Sequence, residues 1–189
     1  MPDAYAPAEV AERVRDVGVK KATASAVTLL ALAVLAGAFI ALGALFYVVT
    51  VTAGPGQTSH FGFTRLIGGA AFSLGLILVV VGGAELFTGN NLMAMAWAAG
   101  RVTGAQVLRN WGLVYLGNLA GAIGTVVLVL LAGIPQMSDG VVGETMIRIA
   151  RAKVTLDPVS ALARGVLCNV LVCLAVWLCM AARSVTDKI

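Results

Sequence analysis

Long runs without a charged residue constrain this chain more than any other feature of its sequence. Asp, Glu, Lys and Arg are absent from five runs, 22–64, 66–84, 86–100, 110–138 and 165–182. A helix crosses the hydrocarbon core of a bilayer in about 20 residues. Several of these runs reach or exceed that length, so the pattern predicts an all-α integral membrane protein.

The composition leads to the same class. Hydrophobic residues make up 60% of the chain and charged residues only 12%, against about 25% charged in an average soluble domain. Too few charges remain to cover a globule with a polar surface. The formal net charge of +4 comes from basic residues scattered between apolar runs. The composition therefore argues against an ordinary soluble enzyme, a disordered protein and a nucleic-acid-binding protein.

The runs predict one transmembrane domain over residues 22–183, with crossings at about 24–50, 66–98, 108–133 and 160–182. Residues 1–21 are polar and are predicted to form an amphipathic helix rather than a cleaved signal peptide. Residues 184–189 form a short tail. No room remains for a separate soluble domain.

Lys and Arg predict a cytoplasmic N-terminus in a cell or inner membrane. Lys and Arg occur in the N-terminal segment, in the 99–109 loop and at the C-terminal tail, whereas the loop 51–64 has none. Positive charge favours the cytoplasmic side. The 134–159 loop departs from this rule, because it would face outward with Arg148, Arg151 and Lys153. Basic residues at an outer mouth can also attract anions.

The second crossing must be interrupted. As one helix, 65–101 would extend about 54 Å, well beyond a core of about 30 Å. We predict the break at 82–91, where Gly82 and Gly83 disfavour helix. Thr88, Asn90 and Asn91 are candidate N-caps for a half-helix over 92–97. Broken helices at membrane depth line cavities and are typical of transport sites, and their N-termini suit anions.

Glu85 lies within this break and has two interpretations. An ionisable group inside a span is costly and needs a reason. The favoured interpretation is a tether, in which the carboxylate binds backbone N–H groups of the break or a neighbouring arginine. The alternative is a titrating group in a pore.

Small and polar residues in the other spans indicate helix packing. Glycines let helices approach closely, and they form stripes at Gly37 and Gly43, at Gly68, Gly69 and Gly75, and at Gly117, Gly121 and Gly124. Asn118 and Asn169 are each either an interhelical hydrogen-bonding residue or a pore-lining one. Cys168, Cys173 and Cys179 have spacings that fit no metal site, and His60 is predicted to be a solvated loop residue. We find no catalytic constellation and predict neither an enzyme nor a cofactor.

Several motifs resemble those of the formate/nitrite transporter family, and of its formate channels most closely. They are Phe72–Leu78 (FSLGLIL), Gly83–Gly89 (GAELFTG), Asn110–Trp111, Tyr115–Leu119 (YLGNL), Cys168–Trp177 (CNVLVCLAVW) and Arg183–Lys188 (RSVTDK). The resemblance extends from about Val17 to the end of the chain. It implies an aquaporin-like fold of two inverted three-helix repeats, assembled as a homopentamer with one pore per protomer.

The resemblance also implies roles for individual residues. The loop of the broken span gates the pore in this family, which here would be Glu85, Leu86, Phe87, Thr88, Gly89 and Asn90, with Thr88 as the gate hydroxyl. Leu76, Leu86 and Phe87 would form the cytoplasmic constriction, and Phe72 and Val172 the outer one. Lys153 would draw anions into the vestibule, and Asn169 would line the pore. The implied function is transport of small monovalent anions of weak acids, formate first and nitrite next, by a channel or with a proton.

The chain departs from the family pattern at its C-terminal end. It carries the first repeat and the first helix of the second, but not the fifth and sixth spans or the Glu-His-Ser motif of the broken fifth span. From the sequence we therefore expect a truncated chain or a fragment. The alternative function is a non-conducting membrane protein or an assembly partner of intact protomers.

Overall fold

The computed structural model describes residues 4–53 and 60–189. Within these residues the chain is helical, with eight α-helices and two short 3-10 helices, at Ile134–Gln136 and Thr186–Lys188. The α-helices are α1 (Pro7–Thr23), α2 (Ala26–Val51), α3 (Phe61–Gly82), α4 (Phe87–Asn90), α5 (Met93–Ala98), α6 (Gly104–Leu131), α7 (Val141–Val154) and α8 (Pro158–Ala181).

Of the described helices, four are long and apolar enough to cross a membrane: α2, α3, α6 and α8. They correspond to the four predicted crossings. The break in the second crossing also exists, because α3 stops at Gly82 and two short helices follow it. The chain is therefore an all-α membrane protein whose second span is broken.

Helix α2 is the centre of the bundle, packed against α3 on one side and α6 on the other. Glycines make both contacts close. A methyl group added to Gly121 would lie 2.0 Å from the Val34 carbonyl oxygen, and one added to Gly37 would lie 2.1 Å from that of Asn118. Between α2 and α3, a methyl group on Gly43 would lie 2.9 Å from the Gly75 Cα. Backbone therefore contacts backbone, and no larger side chain fits.

The glycine stripes predicted from the sequence are confirmed at most positions. Gly68 lies against Tyr47 and Val51, and Gly117 lies against Ala33. Gly69 and Gly124 differ, since a methyl group added there would have no described atom within 4 Å apart from its chain neighbours and the backbone of its own helix. Their side of the helix faces away from the bundle, which periodicity alone did not distinguish.

Helix α1 is amphipathic, as predicted, and lies against α5 and α8. Its apolar side buries Val10, Val14 and Ala22. On its polar side, Glu12 and Asp16 each form an ion pair with Arg101, at 2.7 Å. The hydrogen bond to Asp16 raises the pKa of Arg101 above its ordinary value. These contacts attach α1 to the loop between α5 and α6.

The predicted outer loop 134–159 contains a helix that the sequence analysis did not identify. Helix α7 begins after Gly140, whose φ is +87°, and its last turn carries Arg151 and Lys153. Helix α8 follows after Asp157, whose side chain accepts a hydrogen bond from the Ser160 N–H. Hydrogen bonds from Ser160 hold the pKa of Asp157 below its usual range.

Candidate functional site at the broken helix

The break starts where a left-handed residue ends α3. Gly83 has a φ of +68°, a conformation that glycine adopts without steric cost. The chain then runs extended through Leu86 before α4 begins. The predicted N-caps are wrong, since the caps of α4 and α5 are Leu86 and Leu92, without a side-chain capping bond. Asn90 and Asn91 do not cap because tertiary partners occupy their amides.

Asn118 of α6 holds the extended part of the break. Its Oδ1 accepts a hydrogen bond from the Phe87 N–H at 2.9 Å. Its Nδ2 donates to the carbonyl oxygens of Glu85 and Ala33, both at 2.8 Å. The Glu85 N–H in turn donates to the Leu32 carbonyl at 3.1 Å. These backbone groups of the break are thus satisfied inside the protein, as membrane depth requires. Of the two roles that the sequence left open for Asn118, the structure shows the interhelical hydrogen bonds.

Glu85 is buried, with 8% of its surface exposed, and its carboxylate has two partners. Lys21 Nζ lies 2.8 Å from Glu85 Oε2, and Asn90 Nδ2 donates to the same oxygen at 2.7 Å. The carboxylate therefore ties the break to α1, as a tether would. The expected partners were wrong, however, because neither an arginine nor a backbone N–H binds it within the described residues.

One further amide, Asn110, completes this polar cluster. Lys21 Nζ also donates to Asn90 Oδ1 at 2.8 Å, and Asn90 Nδ2 donates to Asn110 Oδ1 at 2.8 Å. Asn110 Nδ2 then donates to the Lys21 carbonyl at 3.2 Å. Buried polar groups are costly without hydrogen bonds. Here each has a partner, and the positive charge of Lys21 offsets the negative charge of Glu85.

Aromatic side chains of α6 enclose Phe87. Its ring makes edge-to-face contacts with Tyr115, at 5.5 Å between centroids, and with Trp111, at 6.3 Å. Trp111 Nε1 also donates to the Asn90 carbonyl at 3.1 Å. Phe87 is therefore held by packing on α6, while the next residue, Thr88, lies towards α8.

Helix α8 contacts the turn formed by α4 and Asn91 through two side chains. Asn91 Nδ2 donates to Asn169 Oδ1 at 3.0 Å, and the Cys173 thiol donates to the Thr88 carbonyl at 3.3 Å. Asn169 therefore hydrogen-bonds to the turn, and its pore-lining role stays a prediction.

A cavity of about 360 Å³ lies where α1, the break and α8 meet. Four residues of the predicted gate loop line it: Glu85, Leu86, Gly89 and Asn90. Lys20, Lys21 and Lys188 give the cavity a basic side. The other predicted site residues in the described part of the chain are not among its lining residues: Phe72, Leu76, Phe87, Thr88, Lys153, Asn169 and Val172.

The remaining predicted residues lie apart from this cavity. Phe72 is exposed on α3, Leu76 and Val172 are half-buried, and Lys153 is exposed in the last turn of α7. His60 is exposed directly before α3, consistent with a loop residue. The rest of the predicted 51–64 loop, at 54–59, lies outside the described residues.

Sequence reasoning missed three members of the site: Lys21, Asn110 and Cys173. The sequence analysis gave neither Lys21 nor Cys173 a site role: Lys21 was one of several charges of the polar N-terminal segment, and Cys173 one of three cysteines whose spacings fit no metal site. Asn110 did carry a signal, because it is an amide near the start of an apolar span. Lys21 carried a weaker one, as a cation at the end of the polar segment directly before the first span.

Comparisons with known proteins agree with this geometry. The sequence profile described as formate/nitrite transporter matches residues 8–189. The chain belongs to the formate/nitrite transporter family. Among its relatives, the formate channel FocA of Escherichia coli K12 is 43% identical over 186 residues, which are 98% of this chain and 65% of that protein. The uncharacterized transporter YrhG of Bacillus subtilis is 38% identical over 97% of this chain and 68% of its own length.

Solved structures of the family have the same fold. A pentameric formate channel with formate bound superposes with a TM-score of 0.77 at 43% identity, covering 86% of this chain and 63% of that one. A channel described as an FNT family ion channel gives a TM-score of 0.81 at 24% identity and supports the fold alone. The chain spans slightly less than two thirds of the E. coli relative.

Proposed function

We propose that this chain forms the gate-bearing part of a membrane transporter for small monovalent anions of weak acids, with formate as the first candidate and nitrite as the second. The observation that carries the proposal is the break between α3 and α5. It is an interruption of a span, made of an extended segment and the short helix α4, and polar side chains from α1, α6 and α8 fix it beside a basic cavity. In lipid, such backbone is tolerated only when buried in protein or lining a cavity.

The electrostatics of the break favour an anion. A bare carboxylate would repel an anion, but Glu85 is paired with Lys21 at 2.8 Å. Because Lys20 and Lys188 also line the cavity, its lining carries net positive charge. This pairing favours the tether over a titrating carboxylate in the pore. The names of the FocA relatives, formate channels, support formate as the substrate.

The roles suggested for individual residues belong to the same proposal. Thr88, the second residue of α4, supplies the gate hydroxyl, and Leu76, Leu86 and Phe87 form the inner constriction. Phe72 and Val172 form the outer constriction, and Lys153 and Asn169 meet the anion on its way in. At a hydrophobic constriction an anion must shed water, and crossing as the neutral acid would avoid most of that cost.

The experiment is formate flux through the full-length protein reconstituted in liposomes. Thr88→Ala removes the hydroxyl, so we expect a clear change in formate uptake with oligomeric assembly unchanged. Thr155→Ala is the matched control, because its hydroxyl is exposed and donates only to the Arg151 carbonyl of its own helix. Wild-type liposomes that take up no formate or nitrite would overturn the proposed function, and an unchanged flux in Thr88→Ala would overturn the gate role.

A further inference from the structure

The turn that carries Thr88, formed by α4 and Asn91, has a second set of contacts besides those of the Glu85 cluster. Asn169 and Cys173 lie four residues apart, on one side of α8. Asn169 binds the Asn91 side chain at 3.0 Å, and Cys173 donates to the Thr88 carbonyl at 3.3 Å. Asn169 Nδ2 lies 3.9 Å from the Cys173 sulfur. The Asn91 N–H donates back to the Thr88 carbonyl at 3.4 Å, which closes a ring of polar contacts.

The turn needs such contacts because it has little stability of its own. Helix α4 has four residues, and a helix this short does not pay for its own nucleation. Asn118 fixes the backbone before it, and Trp111 fixes Asn90. Between these points, among the described residues, the Thr88 carbonyl receives one hydrogen bond from outside the turn, from Cys173. Thr88 and Cys173 are both half-buried.

We infer that Cys173 is a positioning residue for the gate: its thiol orients the Thr88 peptide, and Asn169 orients the thiol and Asn91. This inference rests on the proposed function and extends it. The thiol acts through the backbone of Thr88, without touching the anion. Thiols are weak donors, so the contact biases the orientation of the turn without locking it, which suits a segment that has to move.

The test compares three substitutions in the full-length protein in liposomes. Cys173→Ala removes the donor at nearly constant size, and we expect formate flux to fall about two- to fivefold, as loss of one weak hydrogen bond predicts. Cys173→Ser keeps a donor and is expected to restore flux to within about twofold of wild type. Cys168→Ala is the matched control, an exposed cysteine of the same helix, and is expected to leave flux unchanged.

A double-mutant cycle distinguishes positioning from general destabilisation. If Cys173 acts by orienting Thr88, Cys173→Ala causes no further loss of flux in a Thr88→Ala background. A general packing defect would reduce flux by the same factor in both backgrounds. Each variant is checked for assembly by size-exclusion chromatography. If Cys173→Ala does not assemble, Cys173→Val takes its place, because valine also lacks a donor but fills more volume. Its flux is then compared with that of Cys173→Ser.

The outcomes separate the two proposals. If the wild-type protein transports formate and Cys173→Ala loses no flux, the positioning role is overturned and the proposed function stands. The same conclusion follows if Cys173→Ala and Cys173→Ser lose flux equally. If Cys173→Ala reduces flux by the same factor in the Thr88→Ala background as in the wild-type background, the positioning role is overturned as well. Absence of flux in the wild-type protein overturns the proposed function and this inference together.

Discussion

At the scale of single residues, the most informative feature is the Glu85–Lys21 pair. The two side chains keep 11% and 21% of their surface exposed, so both charges are largely removed from water. Such a pair contributes little net stability, but removal of one partner leaves an uncompensated charge. Here the pair joins two segments far apart in the chain, the end of α1 and the break, and thus fixes where the break lies.

We predict that Glu85→Gln lowers thermal stability in detergent because Lys21 is left without its counter-charge. The loss in free energy of unfolding should be at most about 3 kcal/mol, which is the lower end of the range for a buried ion pair that loses one partner. The measurement is the unfolding midpoint of the purified protein. The double variant Lys21→Met/Glu85→Gln should regain part of the loss, whereas Glu144→Gln, at an exposed position, should have no effect. An unchanged midpoint in Glu85→Gln would contradict the tether.

At the scale of elements, α2 organises the others through glycines. Helices in a bilayer gain little from the hydrophobic effect when they associate, so close packing and interhelical hydrogen bonds have to hold them together. The α2–α6 contact has both, with Gly37 and Gly121 at backbone distance and Asn118 bonded to Ala33.

Gly121→Ala should separate α2 from α6, because the new methyl group would lie 2.0 Å from the Val34 carbonyl oxygen. We expect destabilisation of about 1–3 kcal/mol, as for overpacked sites. The change is measured as a lower unfolding midpoint and a loss of monodispersity. Gly124→Ala, one turn further along α6, is the control, since its methyl group would meet no described atom beyond its chain neighbours and the backbone of its own helix. Equal behaviour of the two variants would show that the contact is not tight.

The attachment of α1 gives a prediction at the same scale. Arg101 binds Glu12 and Asp16, whereas Arg15 pairs with Glu12 inside α1 itself. Arg101→Gln should therefore loosen α1, seen as faster hydrogen exchange over residues 8–20, and Arg15→Gln should not. High salt should have the same effect on the wild-type protein, since exposed ion pairs are screened. Unchanged exchange in Arg101→Gln would mean that the apolar side of α1 alone holds it.

At the scale of the whole molecule, the described helices leave much apolar surface uncovered. Within the described chain, no residue of α8 is buried, and α6 exposes Leu116, Leu119 and Ile123. Surface of this kind suits lipid or neighbouring helices. In the related channel structure the assembly is a pentamer, and the homopentamer implied by the sequence motifs stays a prediction.

The proposed topology is tested with reporter fusions. A cytoplasmic N-terminus and four crossings would put residue 138 outside and residue 189 inside. Alkaline phosphatase fused after Ser138 should therefore be active, and the same enzyme fused after Ile189 should be inactive. A green fluorescent protein fusion should show the opposite pattern. Reversed activities would overturn the N-inside orientation.

The sequence alone determined the class, the number of spans and the position of the break. Charge-free runs depend only on the free energy of transferring residues into lipid, and a helix satisfies its own backbone, so both are local properties that a single chain reveals. The glycines of α2, α3 and α6 were likewise recognisable as packing residues, although which of them face a neighbour was not.

Only the tertiary structure decided the partners inside the site. Glu85 meets Lys21 across 64 residues and Thr88 meets Cys173 across 85, and such separations leave no periodic trace in a sequence. For the same reason Asn90 and Asn91 looked like helix caps, although their amides bind Glu85, Asn110 and Asn169. A buried polar side chain must find a partner, but the fold, by bringing distant helices together, decides which one it finds.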